Sequence, residues 1–179
     1  MPPRRQPSDN NPTVARTGQL WAPVTMRQTV VVSSDERAIL DLLGRYCELQ
    51  DAADMRAVSA LFAHASYRSL GGPSCSGADE VYALKTHHDQ VHADGTLRTQ
   101  HVTTNTIVDI APDRRNATAR SYFTVLQATE GLPLQVVIAG RYHDAFERVG
   151  DQWRFTDRLI ISDLVGDLSR HIRDNPLRE

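Results

Sequence analysis

Residues 97–130 read LRTQHVTTNTIVDIAPDRRNATARSYFTVLQATE, which is two runs of strand-forming residues joined by a turn. Val, Ile, Thr, Tyr and Phe dominate the runs at about 97–110 and 117–130, and APDRRN between them has turn residues. Similar runs follow at about 135–149 and 152–164, after the short turns EGLP and VGD. The pattern predicts four successive strands that pair antiparallel in a meander.

Three helices are predicted ahead of these strands. Ser33 stands three residues before Glu36, as in a capping box, and Asp54 has the position of a second N-cap. Ser76 opens a third helix that we expect to run to about His92. Apolar residues at helical spacing supply the buried stripes of the first two helices: Ile39, Leu42, Leu43, Tyr46, Cys47, Val58, Leu61 and Phe62.

The order of the elements predicts the fold class. Helices followed by a run of strands are typical of an α+β domain whose helices pack on one face of an antiparallel sheet. The sequence has no glycine-rich phosphate loop, which is the motif that would favour a nucleotide-binding fold instead. We expect one domain over residues 34–170, between a flexible N-terminal arm at 1–33 and a C-terminal tail at 171–179.

Composition excludes several classes of partner. The net charge of -2 over 179 residues gives no electrostatic reason to bind nucleic acid or an acidic membrane. No apolar run has the length of a signal peptide or of a membrane span. Cys47 and Cys75 lack metal-ligand spacing and could be reduced thiols or a bridge. We expect a cytoplasmic protein.

His101 is the first candidate for chemistry. Strand alternation places it on one face with Thr103, Asn105 and Ile107. An inward-facing histidine needs a hydrogen-bonding partner, and Asp51 at the end of the first helix is the acidic candidate. A carboxylate orients an imidazole and stabilises its protonated form, so this pair could act as a general base. A hydrogen-bonded structural histidine is the alternative.

Several motifs occur in an order that is similar to a known family. TLRTQH at 96–101 opens a strand, Asp51 and Asp54 form an Asp-x-x-Asp pair, Tyr-Arg-Ser stands at 67–69, and GRYHDAF precedes QWRF near the end. These motifs resemble scytalone dehydratase and, more widely, the SnoaL-like division of the nuclear transport factor 2-like superfamily. That division includes polyketide cyclases, hexachlorocyclohexane dehydrochlorinase and bile acid dehydratase. In keeping with it, we expect a cone-shaped curved antiparallel sheet, an α+β barrel, with a pocket inside.

The resemblance implies roles for four residues. His101 is the general base, Asp51 is its partner, and Tyr67 holds a substrate oxygen or a water. Tyr46 is similar to the tyrosine that bile acid dehydratase uses beside its aspartate, although a buried helix tyrosine is the alternative. The resemblance implies no cofactor and no metal.

Other positions depart from the scytalone dehydratase pattern. Gln127 falls near its second pocket histidine, and Gly140 and Tyr142 fall near its serine and asparagine contacts. Arg158 could be a cationic pocket residue, as in some relatives, or could pair with an acidic neighbour. Because pocket contacts set specificity, these differences predict the same proton abstraction on a different molecule. The substrate-binding candidates are Tyr46, Gln127, Tyr142 and Arg158.

The predicted third helix contains three histidines, at His87, His88 and His92. His88 and His92 are four residues apart, which is a spacing that metal ligands use. No glutamate follows His88 as in zinc proteases, so we expect helix surface or pocket rim rather than metal.

The predicted function is a cofactor-free lyase of the dehydratase type that acts on a hydrophobic cyclic substrate, polyketide-like or steroid-like. Residues expected to line the cone are Phe123, Val125, Ile138 and Phe146. A cyclase or epimerase on the same scaffold is one alternative. Another is a non-catalytic subunit similar to the small subunit of ring-hydroxylating dioxygenases. Apolar residues on the outer sheet face predict a homodimer or homotrimer.

Overall fold

The computed structural model describes residues 33–173, so most of the predicted arm and residues 174–179 of the predicted tail lie outside the described residues. It has three helices and six strands: α1 (Ser34–Asp51), α2 (Met55–Ala60), β1 (Ser66–Ser69), β2 (Ser74–Ser76), α3 (Gly77–His88), β3 (Thr99–Ile110), β4 (Asn116–Thr129), β5 (Leu132–Val149) and β6 (Gln152–Val165). This is the expected α+β order, with the helices mostly ahead of the sheet.

Two of the predicted helix caps are confirmed. The Ser33 hydroxyl accepts a hydrogen bond from the Glu36 amide at 3.0 Å, and the Asp54 carboxylate accepts one from the amide of Ala57 at 3.0 Å. Ser76 makes no side-chain cap on α3. That helix ends at His88 rather than near His92, because the next residue, Asp89, has extended backbone angles. Asp54 stands three residues after the end of α1, so the second helix begins almost directly after the first.

The sheet has the strand order β2-β1-β6-β5-β4-β3. β3 to β6 pair antiparallel in sequence, which confirms the predicted meander. β1, however, runs parallel to β6, so the expectation of a wholly antiparallel sheet is wrong for this strand. No hairpin joins β1 to β6, and packing rather than a tight turn decides their relative direction.

β3 contains a bulge, so the predicted faces of this strand are wrong for Asn105 and Ile107. Asn105 has a positive φ of 53°, and the register with β4 shifts between Thr104 and Ile107. The extra residue reverses the alternation, so Asn105 and Ile107 are exposed, while His101 and Thr103 keep the inner face. Register shifts between β4 and β5 and between β5 and β6 bend the rest of the sheet.

The core lies between α1, α2 and the inner face of the curved sheet. Its largest fully buried apolar members are Ile39, Phe62, Phe146, Phe155 and Leu168. Gly140 permits close packing there, because a Cβ at this position would collide with the carbonyl oxygen of Ile161. No helix in the described part of the chain is long and apolar enough to cross a membrane.

Apolar side chains also lie on the outer face, where Tyr122 and Leu164 are largely exposed. Association into a homodimer or homotrimer through this face stays a prediction.

Candidate functional site

The end of α1 and the start of β3 bring Asp51 and His101 together. The Asp51 carboxylate lies 2.5 Å from Nδ1 of His101 through Oδ1 and accepts a hydrogen bond from the His101 amide through Oδ2 at 2.9 Å. Thr99 donates its hydroxyl to the same carboxylate at 2.7 Å. Because Nδ1 is held by the carboxylate, Nε2 is the ring nitrogen left to accept a proton.

The surroundings keep Asp51 ionised. Partial burial would raise the pKa of its carboxyl, but the hydrogen bonds and charge of His101, with the Thr99 hydroxyl, outweigh burial and lower the pKa. The His101 side chain is only 6% exposed, so few waters compete for its ring. A buried imidazole whose one nitrogen is fixed on a carboxylate has the geometry that a general base requires.

Two tyrosine hydroxyls lie beside this pair. Tyr46 on α1 and Tyr67 on β1 are both buried, and their hydroxyl oxygens are 3.0 Å apart. The Tyr46 ring stands edge-on to His101, with centroids 6.4 Å apart. Burial raises the pKa of Tyr67, so its hydroxyl stays protonated and able to donate. The four side chains predicted from the sequence therefore form one cluster.

The cluster borders a cavity of about 170 Å³. The apolar part of its lining comes from the sheet and from α3, with Leu84, Phe123, Val125, Ile138, Tyr142 and Ile160. The polar part contains Tyr46, Tyr67, Lys85, Asp89, His101 and His171. A ring compound in the cavity would thus find apolar side chains for its ring and polar groups for its oxygens.

The described part of the chain contains no cluster of side chains that could bind a metal ion. Within residues 33–173 no three His, Cys, Asp or Glu side chains come together as ligands. Cys47 and Cys75 are free thiols, and Cys47 lies 3.3 Å from the Thr103 hydroxyl. His88 lines the cavity rim.

Comparison with models of known protein families shows which family the chain belongs to. The family model of the SnoaL-like domain matches residues 31–159, which include Asp51, Tyr67 and His101. The chain belongs to the SnoaL-like family. No curated protein sequence matches it.

Solved structures share the fold of this SnoaL-like domain. A nuclear transport factor 2-like protein with a cystatin-like fold from Novosphingobium aromaticivorans is 25% identical, with a TM-score of 0.61, over 72% of this chain and 82% of its own. A candidate scytalone dehydratase from the same organism is 22% identical, with a TM-score of 0.61, over 80% and 93%. The beta subunit of a candidate aromatic-ring-hydroxylating dioxygenase, also from that organism, is 20% identical, with a TM-score of 0.58, over 72% and 89%.

Of the four predicted substrate-binding residues, Tyr46 lines the cavity, and the other three lie in different places in the SnoaL-like domain. Tyr142 lines the cavity, stacked on Phe123 with centroids 4.4 Å apart. Gln127 does not line it, because its amide donates to the carbonyl oxygens of Leu97 and Arg170. Gln127 is therefore corrected from a substrate contact to a structural residue.

Arg158 is also corrected, to a position behind the cavity wall. It donates two hydrogen bonds to Asp144, at 2.7 and 2.9 Å, and both side chains are fully buried. Its guanidinium carbon lies 4.1 Å from the ring centroid of Tyr46 and 4.3 Å from that of Tyr142. Arg158 thus positions two rings that face the cavity but does not itself reach it. Phe146, expected in the lining, packs on Phe155 in the core.

Sequence reasoning missed the polar residues at the end of α3. Lys85 is nearly buried, with its ammonium 3.6 Å from the Asp89 carboxylate. That carboxylate also accepts a hydrogen bond of 2.6 Å from the Gln50 amide. Gln50, Lys85 and Asp89 all line the cavity. Helical spacing of Lys85 and Asp89 predicts an ordinary surface pair, so the spacing does not signal their burial in the cavity wall.

His171 was also missed, because the sequence interpretation assigned it to the tail. Its imidazole is buried in the cavity wall, with a centroid 6.4 Å from that of His101. The backbone of His171 accepts a hydrogen bond from Gln90, and Gln127 holds the preceding carbonyl oxygen. A single histidine beyond the last strand carries no local pattern that could have signalled this position.

His171 gives the SnoaL-like domain a predicted sensitivity to acid. Burial, followed by the charge of His101, lowers its pKa to about 4. Asp89, Asp51 and Lys85 also act on it, with smaller effects. The unfolded chain, with a histidine pKa near 6.5, therefore binds more protons between pH 6.5 and 4, and the free energy of unfolding falls as pH falls through this window.

We expect this loss to be on the order of 3 kcal/mol at pH 4. Thermal unfolding measured from pH 7 to 4 should show a smaller acid loss in His171→Asn than in the wild type, since carboxylates contribute equally to both. Parallel curves for the two proteins would contradict the prediction.

Proposed function

We propose that this domain is a cofactor-free lyase that removes a proton from the carbon next to a carbonyl group and then eliminates water. The observation that carries the proposal is the Asp51–His101 pair, joined at 2.5 Å on the wall of a partly apolar cavity. A packing subunit has no need of a buried, oriented imidazole at a cavity.

The reaction balances within the substrate. His101 Nε2 takes the proton from carbon, and the carbon–hydrogen electron pair forms an enolate whose charge lies on the carbonyl oxygen. The carbonyl then re-forms, a carbon–carbon double bond forms, and the hydroxyl on the neighbouring carbon leaves with the proton returned by His101. Substrate becomes product plus water, so no external oxidant or reductant is needed. Asp51 stabilises the imidazolium between the two steps.

Cavity size narrows the substrate class. An engineered protein cavity of about 150 Å³ binds benzene, and the cavity here is about 170 Å³. It therefore suits one ring or a compact pair of fused rings. A steroid, with four rings, would have to extend beyond the cavity. The apolar side chains of Phe123, Val125 and Ile138 and the polar groups around Tyr67 favour a small cyclic ketone of polyketide type.

Two probes test the proposal on the 179-residue protein. With 1-tetralone in heavy water, NMR should show enzyme-dependent exchange of the hydrogens beside the carbonyl. With 3-hydroxy-1-tetralone, loss of water gives 1-naphthol, which fluorescence detects. Both reactions should depend on His101. No exchange and no naphthol with these ketones would overturn the proposal.

Exchange without loss of water would support the second candidate, a cyclase or epimerase. That candidate uses the same His101 base and differs only after deprotonation. An isomerase requires no leaving hydroxyl, so the two probes separate the alternatives.

A further inference from the structure

Lys85 is the only lysine in the sequence. The sequence has 20 Lys and Arg residues, and all the others are arginines. Lys85 is nearly buried, at 7% exposure, and it lines the cavity that contains His101. A buried cation on a cavity wall is costly unless something compensates for its lost hydration, so this position needs an explanation beyond surface solubility.

The neighbours of Lys85 keep it charged. Burial would lower the pKa of the ammonium, but the Asp89 carboxylate and the oxygens of Tyr46 and Tyr67 outweigh burial and raise the pKa well above its ordinary value. Its nitrogen lies 5.0 Å from the ring centroid of Tyr67 and 5.9 Å from that of Tyr46. The side chain therefore carries a permanent positive charge and is a poor nucleophile.

Lys85 and His101 both lie beside the ring of Tyr46. The Tyr46 centroid is 5.9 Å from the Lys85 nitrogen and 6.4 Å from the His101 centroid. The Tyr67 hydroxyl contacts that of Tyr46 at 3.0 Å. A cyclic ketone in the cavity can thus meet a base at its carbon and a cation with a hydroxyl donor at its oxygen.

We propose that Lys85, together with the Tyr67 hydroxyl, binds the carbonyl oxygen of an uncharged cyclic ketone and stabilises the enolate that forms when His101 removes the proton. This proposal rests on the proposed function and assigns the group that stabilises its intermediate. Fixed positive charge at the place where negative charge develops is among the largest contributions to catalysis.

The charges around the cavity argue for an uncharged substrate. Asp51 and Asp89 contribute two negative charges, and Lys85 contributes one positive charge. Apart from the histidines, the carboxylates around the cavity exceed the ammonium by one charge. A substrate carboxylate would add to this excess in a poorly hydrated space. An enolate forms only as His101 becomes positive, so its formation leaves the total charge unchanged.

The test uses three variants of the full chain: Lys85→Arg, Lys85→Met and Lys85→Met/Asp89→Asn. The double variant guards against misfolding, because it removes both charges of the pair and leaves no uncompensated carboxylate. In the exchange of 1-tetralone, we expect Lys85→Met and the double variant to lose about 10²-fold or more. Lys85→Arg should keep a larger part of the rate. If Lys85→Met and the double variant both exchange 1-tetralone at the wild-type rate, the role of Lys85 is overturned while the proposed function stays intact.

A second readout does not depend on turnover. The probe is 4-nitrophenol, whose anion is coloured and resembles an enolate in charge. The proton of the bound phenol can pass to His101, so its anion forms without adding charge to the cavity, and the pKa of the probe should lie about one unit or more lower in the wild type than in Lys85→Met/Asp89→Asn. If the wild type shifts the probe but exchanges no ketone, the proposed function fails and the anion site stands. An equal shift in the double variant overturns the role of Lys85.

A third readout examines covalent chemistry. Lys85 is the only side-chain amine, so borohydride treatment with 1-tetralone followed by mass spectrometry reports on it directly. Because the ammonium remains protonated, we expect no adduct at Lys85. A reduced adduct at this residue would show imine formation and overturn the electrostatic role.

Discussion

We expect that replacing His101 with Asn will lower the rates of ketone exchange and of water loss by about 10³-fold, within the usual range for a lost general base. Asn cannot accept and return the proton. The variant should fold normally, since an amide can still bond to the Asp51 carboxylate. Rates are measured with 1-tetralone and 3-hydroxy-1-tetralone, and folding is checked by thermal unfolding.

Asp51→Asn should lower both rates by about 10²-fold or more, because the neutral amide does not stabilise the imidazolium. Asp54→Asn is the matched control. It belongs to the same Asp-x-x-Asp motif but is exposed and caps α2, a role that Asn fills equally well. Activity lost equally in both variants, or retained in His101→Asn, would contradict the assignment of the base.

The second large effect concerns stability. Asp144→Asn leaves the fully buried Arg158 guanidinium without its charged partner. Removing one member of such a pair costs about 3 to 5 kcal/mol. For a domain of this size that corresponds to a fall in Tm on the order of 10 °C. Because Arg158 also contacts the rings of Tyr46 and Tyr142, exchange activity should fall too.

The Arg141–Asp163 pair provides the control. It has the same two-bond geometry, with both distances at 2.7 Å, but its side chains are 41% and 36% exposed. Asp163→Asn should cost no more than about 1 kcal/mol. Similar losses of Tm in the two variants would show that burial is not what makes the Arg158 pair important.

Local patterns were sufficient to predict most of the fold. The caps at Ser33 and Asp54 depend on interactions three residues apart, and the hairpin turns are equally local. The Asp51–His101 contact joins residues 50 positions apart and was predicted from motif resemblance together with the cost of burying a histidine.

The rest depends on tertiary packing. The bulge at Asn105 has no distinct signal in a run of Thr, Asn and Ile, yet it reverses the faces of half a strand. The parallel pairing of β1, the burial of Lys85 and the return of His171 to the cavity all depend on contacts between distant segments. For Lys85 alone a clue existed in the sequence, since a single lysine among so many arginines is unusual in itself.

The polar residues of the cavity wall are held in place in two different ways. Asp51 binds both the ring and the backbone amide of His101. Lys85 and His171, in contrast, come from α3 and from a turn beyond the last strand. Changes in α3 or in the turn at His171 would therefore alter how the substrate oxygen is bound and how its charge is stabilised, while the base and its carboxylate stay in place.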